Sequence, residues 1–245
     1  MNEVTNLSFL DNKQAALNFY NENGYFIEHN LFTPDECDKL IEASQTLPSA
    51  LDKTFKPFMM PHRLNDIFLK AMAYPKLVDI MSILVNGEVS GLQTEFFFCK
   101  PGTRGFSLHQ DNFFVEADKE VFASAWIALT DVYKDKGSLI AYPGTHKEDL
   151  LPTRKIQLEK DSGQDPNANN EEVIVPENYS PMDAIVPKGS VFFIHGNLVH
   201  GSNPNITNDF RYVLLCTYIR KGEKFRPGRY AQRAEVNLYN IDTTF

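Results

Sequence analysis

From residue 91 onward the chain breaks into short apolar runs divided by turn residues, and that texture restricts the fold more than any other feature. Phe96-Phe97-Phe98, Val191-Phe192-Phe193-Ile194 and Val213-Leu214-Leu215-Cys216 are too short for buried helices and too continuous for strands with one solvated face. Segments of this kind suit strands covered on both sides. Strands are expected at 92–100, 106–110, 122–131, 138–142, 183–187, 190–195 and 210–220, the pattern of an antiparallel barrel or double-sheet jelly roll.

The stretch before residue 91 has helical periodicity instead. Residues 12–22 place Ala15, Ala16, Leu17, Phe19 and Tyr20 on one face, and Asn23-Gly24 ends that helix before the short strand Tyr25-Phe26-Ile27. Thr33-Pro34-Asp35-Glu36 is a helix start, with a capping hydroxyl, a proline at the first helical position and a glutamate spaced to complete a capping box. Leu40, Ile41 and Ala43 carry that helix on. A third helical stretch spans 67–85, with a break near Pro75. The expected fold class is mainly β with flanking helices: a jelly-roll core packed by N-terminal helices, with residues 1–245 forming one domain. Two segments fall outside that core. The polar, acidic stretch 151–182 reads as a lid or disordered insertion, and 223–245 as a C-terminal extension, either an exposed or subunit-contacting tail or a second lid.

Composition narrows the function classes. Of 245 residues, 42% are hydrophobic and 12% aromatic, enough for a sizeable core, while a formal net charge of −8 argues against a surface that tracks phosphates. Nucleic acid is not an expected partner. Cys37, Cys99 and Cys216 are odd in number, far apart and without a Cys-x-x-Cys element, so they read as reduced packing residues of a cytoplasmic protein. Met1 to Asn6 carries no basic region leading into an apolar core, and no run reaches the roughly 20 apolar residues of a bilayer span. No membrane association is expected, and a homodimer stays open.

One pattern carries chemistry. On an extended segment, His109 and Asp111 of His109-Gln110-Asp111 project to the same side, and His200, just past the strand at 190–195, supplies a second imidazole. Two neutral imidazoles and one carboxylate fill one face of an Fe(II) octahedron and leave the opposite positions for a chelating co-substrate and dioxygen. Taken alone, the three also fit a hydrogen-bonded barrel histidine, a turn aspartate before Asn112 and a loop histidine before Gly201. Arg211 opens an apolar strand, where a guanidinium is costly unless it meets an anion such as a carboxylate. An ion pair with Asp209 is the other reading.

Around these residues the chain carries Phe19-Tyr20-Asn21-Glu22-Asn23-Gly24-Tyr25, the helix start at Thr33, Lys100-Pro101-Gly102, Ala125-Trp126-Ile127-Ala128-Leu129, Gly137-Ser138-Leu139, Pro143-Gly144-Thr145-His146 and His200-Gly201-Ser202. In that order, with Leu108-His109-Gln110-Asp111 and Arg211, it resembles the phytanoyl-CoA dioxygenase-like family of Fe(II)/2-oxoglutarate-dependent oxygenases over about residues 17–220. The resemblance implies a double-stranded β-helix, Fe(II) held by His109, Asp111 and His200, 2-oxoglutarate anchored by Arg211, and O2 as the other co-substrate. It also carries Gln93, Trp126 and Ser202 onto co-substrate-pocket positions, although Trp126 reads equally as core packing. Lys56 lies roughly where some relatives place a lysine against the co-substrate. The carboxylate of Asp111 points to oxygen insertion, since relatives that halogenate have a small residue there. His146 and His195 read as structural, and His62 as a candidate for the site mouth.

The expected substrate is a small molecule, with Phe97, Arg104, Asn112 and Phe113 around the iron motif, the 151–182 loop and Lys224 to Tyr230 as candidate contacts. An acidic chain without an evident nucleotide-phosphate cluster favours a small polar metabolite or natural-product intermediate over an acyl-CoA. The expected reaction is hydroxylation, with desaturation or ring closure open, of an unactivated C–H bond as 2-oxoglutarate becomes succinate and CO2. An oxygenase acting on a protein side chain and a non-catalytic metal- or ligand-binding β-barrel are the alternatives.

Overall fold

A computed structural model describes residues 7–157 and 171–245. The expectations that fall on Met1 to Asn6 and on the middle of 151–182 lie outside the described residues. In chain order the elements are α1 (Lys13–Asn23), β1 (Tyr25–Glu28), α2 (Pro34–Ser44), α3 (Pro48–Leu51), β2 (Phe58–Met59), α4 (Asp66–Met72), α5 (Pro75–Leu84) and β3 (Val89–Cys99). They continue with α6 (Asn112–Val115), β4 (Phe122–Ala128), β5 (Leu139–Ala141), β6 (Thr153–Lys155), β7 (Glu171–Val173), β8 (Met182–Ala184), β9 (Val191–His195), β10 (His200–Ser202) and β11 (Arg211–Arg220). Among the described residues no helix is long and apolar enough to cross a membrane.

The strands form the two faces of a double-stranded β-helix. The larger sheet runs β1-β9-β4-β11-β3-β2 and the smaller β10-β5-β8, with antiparallel pairing throughout. Side chains alternate across each strand, and this explains why β3, β4 and β9 are buried along their whole length. Phe96, Phe98, Ile127, Phe193 and Leu214 pack outward against Leu40, Leu77 and Met81 of the N-terminal helices. Phe97, Trp126, Phe192, Ile194 and Val213 point the other way, between the sheets. Each fully buried Phe contributes about 1.5–3 kcal/mol, so the helical cover is what makes these continuous apolar runs stable as strands.

The N-terminal helices follow their sequence signals. Thr33 Oγ1 accepts from the Glu36 amide at 3.2 Å and the Glu36 carboxylate accepts from the Thr33 amide at 2.8 Å, the reciprocal capping box. The helical stretch at 67–85 divides into α4 and α5 with Ala73 and Tyr74 between them, because Pro75 forces Tyr74 out of the helical region to ψ 122°.

Two expected strands differ. Residues 106–110 form no strand but one isolated bridge, His109 to His200. The ladder fails there because its partners are taken elsewhere: the Phe106 amide donates to the Ser202 hydroxyl, Ser107 O accepts from the His109 ring, and Leu108 O accepts from the Val173 amide. The stretch at 183–187 shortens to β8, and Val186 then leaves that ladder to pair with Val132. The flanks of the expected lid pair with each other as β6 and β7, where Arg154 meets Glu172 across the ribbon at 2.6 Å.

The C-terminal extension packs onto the body of the fold. Val236 bridges Gly91 through two backbone hydrogen bonds of 2.8 and 3.0 Å, on the edge of β3 that β2 covers further along. Leu238 is buried there, and the Phe245 ring meets Phe32 and Tyr74 edge-on. A Cβ at position 91 would lie 2.4 Å from Met72 Sδ, so any larger residue there would have to displace the buried Met72 side chain.

Candidate metal centre and its cavity

Backbone pairing brings the two histidines together. His109 N donates to His200 O at 2.8 Å and His200 N to His109 O at 3.0 Å, while Gly201 permits the close approach: a Cβ there would sit 2.7 Å from Phe106 O. Each Nδ1 lies against the carbonyl two residues earlier, Ser107 O at 2.8 Å and Leu198 O at 3.0 Å. A carbonyl only accepts, so both rings carry hydrogen on Nδ1 and turn Nε2 toward Asp111. Asp111 Oδ1 lies 3.4 Å from His109 Nε2 and 3.6 Å from His200 Nε2, and all three ligand atoms fall within 4.8 Å of one another.

The electrostatics suit a cation at that point. Burial alone would raise the Asp111 pKa, but the imidazoles of His200 and His109 and a 2.6 Å hydrogen bond from Ser124 Oγ to Oδ2 outweigh it and hold the carboxyl well below its usual range. Burial, reinforced by His109, pushes His200 down to about 4, so the ring is neutral near pH 7. Two imidazole nitrogens and a carboxylate oxygen are the donor set that Fe(II) accepts. Gln110 is turned away: its amide donates to Asn197 O at 2.8 Å and accepts from Leu151 N at 2.8 Å, tying the metal segment to two loops.

The triad opens into a cavity of about 490 Å³, inside the ~300–1,000 Å³ range of small-molecule sites. Arg211 lies buried on its wall, donating to Gly137 O and Cys99 Sγ, with its guanidinium carbon 5.6 Å from the centroid of Trp126. No carboxylate of the described residues, Asp209 included, lies within ion-pair distance of it, and its Nε has no partner. A buried cation on a cavity wall with no carboxylate partner among the described residues is a place for an anion. Ser202 Oγ, which accepts from Phe106 N at 2.9 Å, lines the same wall. Cys37, Cys99 and Cys216 are free and buried, but Cys99 does more than pack, since it helps hold Arg211.

The remaining sequence candidates separate cleanly. Gln93, Trp126 and Phe97 line the cavity with the triad, Arg211 and Ser202, whereas Arg104, Asn112 and Phe113 lie outside its lining. Arg104 donates to Ser107 Oγ at 2.9 Å. Asn112 is buried and tied to both backbone groups of Ala117 and to Asn197, which closes the turn after α6, and Phe113 points outward while Phe114 enters the cavity. Lys56 is exposed and absent from the lining; Met59 of β2 lies there instead. His62 does not face the mouth, because its Nδ1 meets Thr94 Oγ1 at 2.7 Å on the helix-facing side of β3. His146 binds Asn21 O at 3.0 Å and His195 meets Glu120 at 3.4 Å, away from the triad.

Met59, Phe114, Thr217 and Arg233 line the cavity as well, and the sequence reading does not include them. Two had usable signals. Thr217 follows Arg211 and Leu215 at even spacing on β11, which puts it on the same face. Arg226, Arg229 and Arg233 gather within the tail of an otherwise acidic chain.

A jelly roll closing on a His-Asp-His set beside a buried arginine defines the class of non-haem Fe(II)/2-oxoglutarate-dependent dioxygenases. The phytanoyl-CoA dioxygenase (PhyH) family model matches residues 20–213, and the chain belongs to that family. Among its relatives, phytanoyl-CoA dioxygenase 1 of Oryza sativa subsp. japonica is 28% identical over 209 residues, covering 83% of this chain and 69% of its own. Ectoine dioxygenase of Stutzerimonas stutzeri is 26% identical over 227 residues, covering 81% and 74%. In fold, the chain is similar to the non-heme α-ketoglutarate-dependent carbocyclase SnoK from nogalamycin biosynthesis, with TM-score 0.73 and 17% identity over 94% of this chain and 99% of that one.

Proposed function

We propose that this chain is one catalytic unit that hydroxylates, or otherwise oxidises, an unactivated C–H bond of a small-molecule metabolite or natural-product intermediate, converting 2-oxoglutarate to succinate and CO2. The observation that carries this reading is the convergence of the Nε2 atoms of His109 and His200 with Asp111 Oδ1 in the same cavity as the unsatisfied Arg211.

His109, Asp111 and His200 would hold Fe(II), and the bound iron would supply the coupling of O2 reduction and 2-oxoglutarate decarboxylation to C–H oxidation. The chain's own residues orient and exclude. Ser124 fixes the Asp111 carboxylate, and Ser107 and Leu198 fix the two ring orientations. Arg211 takes the far carboxylate of 2-oxoglutarate, with Trp126 against its guanidinium and Ser202 beside it. Phe97, Phe106, Leu139 and Ile194 keep water from the reacting face.

A small molecule suits the site better than a peptide, because the tail residues Gly228 to Ala231 line the cavity and narrow it, where a peptide needs an open groove. The named activities of the relatives, on phytanoyl-CoA and on ectoine, are compatible with a small molecule. The deciding experiment loads the protein anaerobically with Fe(II) and 2-oxoglutarate, admits oxygen and screens a metabolite library for succinate release. Library-dependent succinate supports the reading; failure to bind 2-oxoglutarate in the iron-loaded protein overturns it.

A further inference from the structure

Beside Arg211, three more arginines line the cavity: Arg226, Arg229 and Arg233. Arg233, in the tail beyond the family match, is half-buried on the cavity wall, with Nε donating to Gln93 Oε1 at 2.8 Å and Nη1 to Phe114 O at 3.2 Å and Arg226 O at 3.3 Å. All three acceptors are neutral. No carboxylate of the described residues lies within ion-pair distance of it, whereas Arg226 is paired with Glu116 at 2.6 Å and Arg229 lies exposed over Tyr230. Burial lowers the Arg233 pKa, Asp111 and Glu95 oppose that from a distance, and Arg226 adds to it. The charge is therefore partly desolvated without a close counter-ion, an arrangement that costs free energy until an anion arrives.

A second observation marks the same place. Thr217 is buried on the cavity wall and its Oγ1 has no hydrogen-bond partner. Its register joins it to both neighbours that matter: Thr217 pairs with Gln93, which holds Arg233, and with Ser124, which holds Asp111. Arg211 starts from the other end of the same strands, opposite Cys99, six residues or roughly 20 Å of backbone from Thr217. Arg233, through Gln93, is thus held at the register of Ser124 and Thr217, and Arg211 at the far end of the same strand. With Arg211 proposed as the anchor for 2-oxoglutarate, Arg233 and Thr217, six residues along the strand, are left for a different anion.

We infer that Arg233, with Thr217, binds an oxyanion group of the primary substrate, so that the molecule oxidised is a carboxylate or phosphate ester held by its charged end. This rests on the proposed dioxygenase reading and deepens it, because it names the chemistry of the substrate and makes the C-terminal segment its specificity element. Arg226, fixed to Glu116 and to the carbonyls of Phe113 and Phe114, and Arg63, which donates to Gln232 O at 2.7 Å, brace that segment over the site.

The test uses the full chain with Zn(II) in place of iron and 2-oxoglutarate at saturation, following arginine Nε–H resonances by nitrogen-15 NMR, with Arg211 and Arg233 assigned by their Lys variants. Acetate and inorganic phosphate are then titrated separately. Saturable movement of the Arg233 signal supports the inference, and the better of the two probes says whether the charged end is a carboxylate or a phosphate. No movement of Arg233 with either probe overturns it. If 2-oxoglutarate itself leaves Arg211 unmoved, the dioxygenase reading fails instead, which the Arg233 titration does not affect. In the iron-loaded enzyme, small acids paired with their amides and phosphate esters paired with their alcohols give a second arm. The charged member of a pair should be oxidised, with KM raised about 30-fold or more in Arg233→Gln and partly recovered in Arg233→Lys. A preferred neutral member, or unchanged KM in Arg233→Gln, overturns the inference.

Discussion

Ser124 Oγ donates a 2.6 Å hydrogen bond to the Asp111 oxygen that faces away from the two imidazoles, so a strand of the larger sheet fixes the only acidic member of the triad. This bond leaves Oδ1 facing the two imidazoles, where it would meet a metal, and resists rotation of the carboxylate. Ser124→Ala should lower metal affinity by about 10–100-fold without unfolding the protein, as read from Co(II) or Fe(II) titration. Equal affinity in wild type and variant would show that the hydroxyl does not orient the ligand.

Arg211→Ala removes a buried cation that pairs with no carboxylate of the described residues, so the loss should fall on the co-substrate. The Kd for 2-oxoglutarate should rise about 30-fold or more, the equivalent of ~2 kcal/mol or above for a desolvated charge pair. Calorimetric titration of the metal-loaded protein measures it. Wild-type affinity would remove Arg211 from the anchoring role and leave Gly137 and Cys99 as its whole purpose.

Local signals carried most of the fold. The Thr33 capping box, the break before Pro75 and the apolar runs of β3, β9 and β11 each depend on neighbouring residues, and the structure contains them where local physics puts them. The segment at 106–110 was misread because its ladder partners are a serine hydroxyl, its own histidine ring and a distant amide, none visible in a local pattern. The same limit applies at the site. His109 and Asp111 are close in sequence and Arg211 stands out against an apolar strand, but Arg233 meets Gln93 across 140 positions. Asn112 and Phe113 looked like site residues by adjacency to Asp111; the short α6 turns one into a loop brace and the other toward solvent.

Gly24 should tolerate no side chain. Its φ of +79° ends α1 in the left-handed region, and a Cβ there would lie 2.4 Å from His146 Nδ1. The Pro143-Gly144-Thr145-His146 turn clamps this helix end through Gly144 N to Asn23 O at 2.9 Å and the His146 ring to Asn21 O. Gly24→Ala should therefore cost at least about 1–3 kcal/mol, lowering Tm by roughly 2–4 °C per kcal/mol for a chain of this size. A calorimetric scan with an unshifted Tm would mean that the turn and helix end separate easily.

Acid should weaken the fold through His62 and His146 before it reaches most carboxylates. Burial pushes both pKa values down from 6.5 to about 4, with Arg63 adding to the effect on His62, and His195 and Lys147 on His146 against the opposing bond to Asn21. The unfolded chain protonates these rings first, so it holds more protons between pH 6.5 and about 4 and gains stability relative to the fold. Their contribution is fully present above pH 6.5 and lost as pH falls toward 4. Urea unfolding across that window should show proton uptake, reduced in His62→Gln, whose amide can still reach Thr94. An identical pH slope in wild type and variant would mean that His62 titrates normally in the folded protein.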